Sequence, residues 1–171
     1  MISDAIISQD GYYRYALQRV WDEALPIMIW VMLNPSTADG TVDDPTIRKC
    51  MKFARTLGYG GIMVFNLTPY RSVDPKRIYG VNEEDHVMEL NYEYVHDTLR
   101  SLPPGQRIVH CAWGQHGVCR DLAYKFVSRL HYHDDLDGLT LKAFRLTKTG
   151  QPWHPLYLTD DTVPFVWGGP V

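Results

Sequence analysis

Residues 27–33, Ile-Met-Ile-Trp-Val-Met-Leu, form an unbroken apolar run. Successive side chains of a strand point to opposite faces, so a run that is apolar at both parities must be covered on both sides. Its length is that of a strand, and it stops at Asn34-Pro35-Ser36, the chemistry of a turn. Such a strand sits inside a sheet with helices on both faces, the arrangement of parallel α/β proteins.

The rest of the chain supplies the partners. Asp43-Asp44-Pro45 is a helix start, and Ile47, Cys50, Met51, Ala54 and Leu57 recur at helical spacing until Gly58. Residues 61–67, Gly-Ile-Met-Val-Phe-Asn-Leu, read as a second buried strand, and the following loop carries Pro69 and Pro75. Residues 83–100 hold Val87, Leu90, Tyr94 and Val95 among many charges, an amphipathic helix. A third strand is expected over 107–113. Gly114 and Gly117 then lead into a helix with Val118, Leu122, Phe126, Val127 and Leu130 inward, and a fourth strand follows near 141–146. Residues 12–21 alternate as an antiparallel edge strand. Right-handed crossovers turn this order into an α/β fold: a three-layer α/β/α domain with a central, mainly parallel four-stranded sheet plus an N-terminal antiparallel edge strand. With 171 residues and 45% hydrophobic content, the chain fills one core and is too short for two ordinary domains, so 1–171 is read as one unit.

A formal charge of −3 argues against a broadly basic nucleic-acid coat protein while leaving a local basic groove open. Cys50, Cys111 and Cys119 form no C-x-x-C pair, which points to reduced thiols in a cytoplasmic protein rather than a cysteine metal site. No apolar stretch approaches the roughly 20 residues that span a bilayer. His131 and His133 with Asp134 and Asp135 have metal-ligand chemistry but lie in a polar loop at a spacing that matches no metal site, so neither metal nor cofactor is expected.

In open α/β sheets ligands bind beyond the carboxyl ends of the strands, where strand order reverses. Four such segments carry unusual residues: Asn34-Pro35-Ser36, Asn66 with Thr68 to Arg71, Trp113-Gly114-Gln115-His116, and Trp153-His154-Pro155. Each also has a structural explanation. Asn-Pro after a strand makes a turn, and a buried Asn66 amide needs a backbone partner as much as a ligand. Trp113-Gly114 suits a core residue at a helix entry, while Arg71, Lys76 and Arg77 suit a solvated loop as well as phosphate contact.

The segment from Val31 to Pro45, together with Val64-Phe-Asn-Leu67 and His154-Pro-Leu-Tyr-Leu158, resembles a small bacterial and phage family of unknown function over nearly the whole chain. More remotely, the same pieces in the same order resemble the uracil-DNA glycosylase superfamily. That resemblance implies that Asn34-Pro35 is the first-strand motif that positions the attacking water, with Ser36 beside it. Asn66 is then the amide that reads a flipped pyrimidine, and His154 is the histidine directed at the base O2. The Pro155-Leu156 segment enters the minor groove. Two departures stand out: Met32-Leu33 replaces a glycine-rich lead-in, and the four-cysteine cluster of some members is absent.

The chemistry implied is hydrolytic excision of a uracil-like or modified pyrimidine from DNA, phage hypermodified bases included, in antiviral defence or base-excision repair. Breaking the N-glycosidic bond places positive charge on the sugar and negative charge on the base, so the site must hold the flipped base, stabilise O2 and present one water at C1′. Catalytic candidates are Asn34 and His154, with Asp39, Asp43 or Asp44 as an assisting carboxylate. Pro35, Ser36, Asn66, Tyr70 and Trp113 are candidates for holding the base, and Arg71, Lys76, Pro155 and Leu156 for holding DNA. Two alternatives stand beside this: a non-catalytic nucleotide- or nucleic-acid-binding module, and a hydrolase or transferase of free nucleotides, which the acidic charge suits.

Overall fold

A computed structural model describes residues 1–80, 85–116, 119–132 and 134–170. The apolar run becomes strand β3 (Ile27–Met32), paired in parallel with β4 (Gly61–Asn66) on one side and β5 (Ile108–Cys111) on the other. Its alternation feeds two cores. Ile29, Val31 and Leu33 pack with Tyr92, Val95 and Leu99 of helix α2 (Asp85–Ser101) and with Ala123, Phe126, Val127 and Leu130 of α3 (Cys119–Tyr132). Met28, Trp30 and Met32 pack with Ile47, Cys50, Met51, Phe53 and Ala54 of α1 (Pro45–Thr56). Helices therefore cover both faces of the strand, as its composition requires.

The sheet is mixed and larger than the sequence indicates. Strands β1 (Ile2–Ile7), β2 (Arg14–Val20), β6 (Thr140–Ala143) and β7 (Phe165–Val166) complete seven strands in the order β1-β2-β4-β3-β5-β6-β7. The expected four parallel strands are its centre, β4-β3-β5-β6, but antiparallel strands extend it on both sides. The expectation of a four-stranded sheet with one N-terminal edge strand is thus corrected. β2 is an interior strand, and the N-terminal edge is β1. The edges escaped detection because a strand with little burial carries little hydrophobic alternation. β1 is mostly exposed, and β7 has only two residues, both exposed. β6 also stops at Ala143, short of the expected 146, and Phe144 turns into the α1-side core. The outward part of α2 includes Leu90, while its buried stripe runs through Val87, Asn91, Val95 and Leu99. Residues 83–84, Gly117 and Val118 lie outside the described residues.

Local chemistry sets the element boundaries. Asp44 caps α1 by accepting from the Ile47 N–H at 2.9 Å, with Pro45 at the first helical position. The turn into β4 needs Gly60, whose Cβ, if present, would stand 1.9 Å from the Asp22 carbonyl oxygen. Trp30 stacks on Phe144 with ring centroids 5.3 Å apart and planes inclined by 2°, locking β3 against the chain after β6.

The connection through α1 places β4 on one side of β3, and the connection through α2 returns to place β5 on the other. Strand order reverses between β3 and β5, and the gap beyond their carboxyl ends is where a ligand fits.

The acidic stretch after β3 is held by a cation on β2. Arg19, 1% exposed, donates from Nε to Asp43 at 2.9 Å and from Nη2 to the Asp39 carbonyl at 2.5 Å. Its Nη1 reaches the carbonyls of Gln18 and Asp4. The Asp39 carboxylate closes the turn by accepting from the N–H groups of Thr41 and Val42, both at 2.8 Å. Arg19→Met removes the charge partner of Asp43 and several carbonyl contacts at once. Urea denaturation is expected to show a loss of about 3 kcal/mol at unchanged slope.

Candidate functional site

A cavity of about 330 Å³ opens beyond β3 and β5, at the reversal of strand order. This is within the size range of small-molecule sites. Six stretches of chain build its wall: Arg14 from β2, Met32 to Asn34 and Ser36 after β3, Asp44, Thr46 and Ile47 at the head of α1, Ser72 and Val73 after β4, Trp113 to His116 after β5, and His154, Leu156 and Tyr157 near the C-terminus. The buried members, Met32, Leu33, Ile47 and Trp113, make an apolar floor in which Arg14 and Asp44 are the charged groups. Val73, Leu156 and Tyr157 are exposed at the mouth.

Asn34 joins two of these loops. Its Nδ2 donates to the carbonyls of Pro35 at 3.0 Å and Ser72 at 2.9 Å, and the Ser72 N–H donates back to the Pro35 carbonyl at 2.9 Å. Both amide hydrogens are thereby occupied, which fixes the orientation of the amide and leaves Oδ1 as an acceptor without a protein partner among the described residues.

His154 also lines the cavity. The Leu156 N–H donates to its Nδ1 at 3.4 Å, so Nδ1 is the bare nitrogen and Nε2 carries the proton. Burial pulls its pKa down to about 4, opposed by the Asp44 carboxylate and reinforced by His116. At neutral pH the ring is uncharged and keeps its proton on Nε2.

Asp44 combines a structural duty with a place on the wall. One carboxylate oxygen caps α1, and the other takes no hydrogen bond among the described residues. Its charge is felt by both Arg14 and His154, so the three groups share one field. Arg14 is 2% exposed. It donates from Nη1 to the Ala38 carbonyl at 2.9 Å and from Nη2 to Asn66 Oδ1 at 3.4 Å, while Nε has no partner. Burial lowers its pKa to about 10, with Asp44 acting in the opposite direction, so it remains charged at neutral pH.

Of the residues singled out from the sequence, Asn34, Ser36, Asp44, Trp113, His154 and Leu156 meet at this cavity. Asn66 lies behind the wall, 1% exposed, with its Oδ1 held by Arg14, its carbonyl held by Asn91 and its Nδ2 unpartnered. Asp39 and Asp43 are committed to the turn and to Arg19 and do not line the cavity. Tyr70 packs edge-on against Tyr13, Arg71 donates to the Gly11 carbonyl at 3.1 Å, and Lys76 is exposed on a 3-10 turn away from the wall. Pro35 and Pro155 are buried supports of their loops. Trp113 fixes the floor by donating from Nε1 to Gln151 Oε1 at 2.8 Å.

Sequence reasoning missed Arg14, Thr46, Ser72 and Tyr157. Arg14 enters from an antiparallel strand, away from the parallel-strand ends where ligand-binding residues are expected. An arginine at the start of the alternating Arg-Tyr-Ala-Leu-Gln-Arg-Val strand was the available signal, because a cation inside a sheet needs a buried task. Among the described residues no three His, Cys, Asp or Glu side chains gather as metal ligands. His131 Nδ1 is bonded to the Val127 carbonyl, and His133 lies outside the described residues. No helix among the described residues is long and apolar enough to cross a membrane.

A histidine whose pKa falls on folding binds fewer protons in the native state than in the unfolded one. The stability this contributes is complete above the ordinary value of 6.5 and is lost as pH falls toward 4, and His110, also lowered to about 4 by burial, acts in the same direction. His154→Asn is therefore expected to reduce the steepness of the acid-side stability loss between pH 6.5 and 4, read from urea midpoints across that window. An unchanged slope would contradict the assignment of a neutral, half-buried ring.

No curated protein and no solved structure matches the chain. A family model does match, over residues 14–156, and is described as a protein of unknown function, DUF1643. The match takes in Arg14, the loops that clamp Asn34, the cap of α1 and His154, and ends at Leu156 on the mouth of the cavity. The chain belongs to the DUF1643 family.

Proposed function

We propose that this protein is a DNA glycosylase, which flips a uracil-like or modified pyrimidine into the cavity and hydrolyses its N-glycosidic bond. The observation that carries this reading is the presence of a neutral histidine and a capping carboxylate on the wall of one apolar-floored cavity. His154 donates from Nε2 toward the base O2, where negative charge develops as the bond breaks. Asp44 and Asn34 Oδ1 face the sugar and orient the water. The water oxygen bonds to C1′ as the C1′–N bond breaks, the electron pair leaves with the base, and Asp44 takes the proton of the water. Four parallel strands with helices on both faces support the uracil-DNA glycosylase-like, three-layer version of the fold. Leu156, Tyr157 and Val73 at the mouth are suited to wedge into a duplex and fill the space of the extruded base.

One observation favours a second reading. Arg14 is the lone lysine or arginine on the described wall, and it lies on the floor rather than at the rim, so a free nucleoside would find the site as readily as duplex DNA. Salt separates the two, because duplex affinity falls steeply with salt and nucleoside affinity does not.

The test is incubation with duplexes carrying uracil, hydroxymethylpyrimidines or glucosylated cytosine, followed by alkaline cleavage at abasic sites. Asp44→Asn keeps a capping side chain and is expected to slow excision by about 10²–10⁴-fold, with a similar loss in His154→Gln. Absence of abasic product from every duplex overturns the reading.

A further inference from the structure

We propose that Arg14 selects the ligand, admitting a ring edge that presents hydrogen-bond acceptors and rejecting one that presents an amino group. The inference rests on the glycosylase reading for the identity of the ligand as a base. Its physical content comes from Arg14 itself. A guanidinium has five N–H donors and no acceptor, and the protein uses two of them, at Ala38 and Asn66. The side chain is 2% exposed yet borders the cavity, so water does little to satisfy what remains. Asn66, behind the wall, accepts one of these hydrogen bonds, and its own Nδ2, sealed from the cavity, finds no partner there either. This end of the cavity is therefore short of acceptors.

The surroundings decide what kind of acceptor fits. Met32, Leu33, Ile47 and Trp113 make a surface for a flat ring, which gives no solvation to a phosphate. Asp44 stands in the same cavity and repels a full anion. A neutral carbonyl on an aromatic ring meets neither objection. A pyrimidine with its O2 toward His154 turns its C4 substituent away from the histidine and into the cavity floor. An oxo group there accepts from Arg14. An amino group there sets N–H against N–H and strands the guanidinium. Sites built to bond one polar group discriminate strongly against the analogue that lacks it.

The experiment has a binding arm and an excision arm. Calorimetric titration of the protein with 2′-deoxyuridine and 2′-deoxycytidine is expected to favour the first by about 100-fold, on the conservative side of such sites. Arg14→Gln, which presents either a carbonyl or an amide, is expected to shrink that preference to within about tenfold. Should that variant fail to fold, the preference of the unaltered protein decides alone. Equal binding of the two nucleosides overturns the inference, as does a folded Arg14→Gln protein that keeps the full preference, tighter binding of inorganic phosphate than of deoxyuridine, or no binding of either nucleoside. In the excision arm, duplexes with 5-hydroxymethyluracil are expected to be cut and those with 5-hydroxymethylcytosine spared. Excision of both leaves the glycosylase standing and removes the role of Arg14. Arg14-dependent preference for deoxyuridine without excision does the reverse.

Discussion

The double-sided burial of β3 is the constraint from which the other features follow. A strand with Met28, Trp30 and Met32 on one face and Ile29 and Val31 on the other cannot stand at an edge or face water. It needs a neighbour on each side and a helical layer above and below. α1, α2 and α3 supply the layers, and the crossovers that deliver β4 to one side and β5 to the other create the gap beyond the strand ends. The cavity is thus a by-product of covering one apolar strand, and its floor is the continuation of that strand's own residues, Met32 and Leu33.

What turns the gap into a chemical site is the small number of polar groups admitted to it and how firmly each is fixed. Asn34 is immobilised by two carbonyls, Asp44 by the helix it caps, His154 by the turn that follows it, and Arg14 by Ala38 and Asn66. Each is thereby spared reorganisation when a ligand arrives, which is the condition for electrostatic stabilisation of a transition state. The Asp44 carboxylate, acting on both Arg14 and His154, keeps the ensemble near neutrality while the low-polarity floor strengthens every interaction in it.

Legibility in the sequence followed local pattern. The four parallel strands and three helices announce themselves through apolar runs, helical spacing and the Asp44-Pro45 start, each dictated within a few residues of its own position. Edge strands β1 and β7 do not, since their side chains meet water on too many sides to alternate. The same division runs through the site. Asn34 and His154 were found because each ends a segment with turn chemistry, which local sequence displays. Asp39, Asp43 and Asp44 are equivalent in local sequence, because all three are acidic residues in one loop. Only the fold assigns the first two to the turn and to Arg19 and the third to the cavity.

The sequence by itself determined that β3 must be interior, that helices cover both faces, that α1 begins at Asp44-Pro45 and that polar residues cluster after the strands, because hydrophobic period and capping act over one or two turns of chain. Only the tertiary structure decided that Arg14, from an antiparallel strand remote in sequence from the loops it meets, reaches the floor of the cavity, and that Asn66 stands behind it rather than in the open. Strand pairing sets that placement, and pairing partners are chosen by the packing of the whole sheet, which no local window contains.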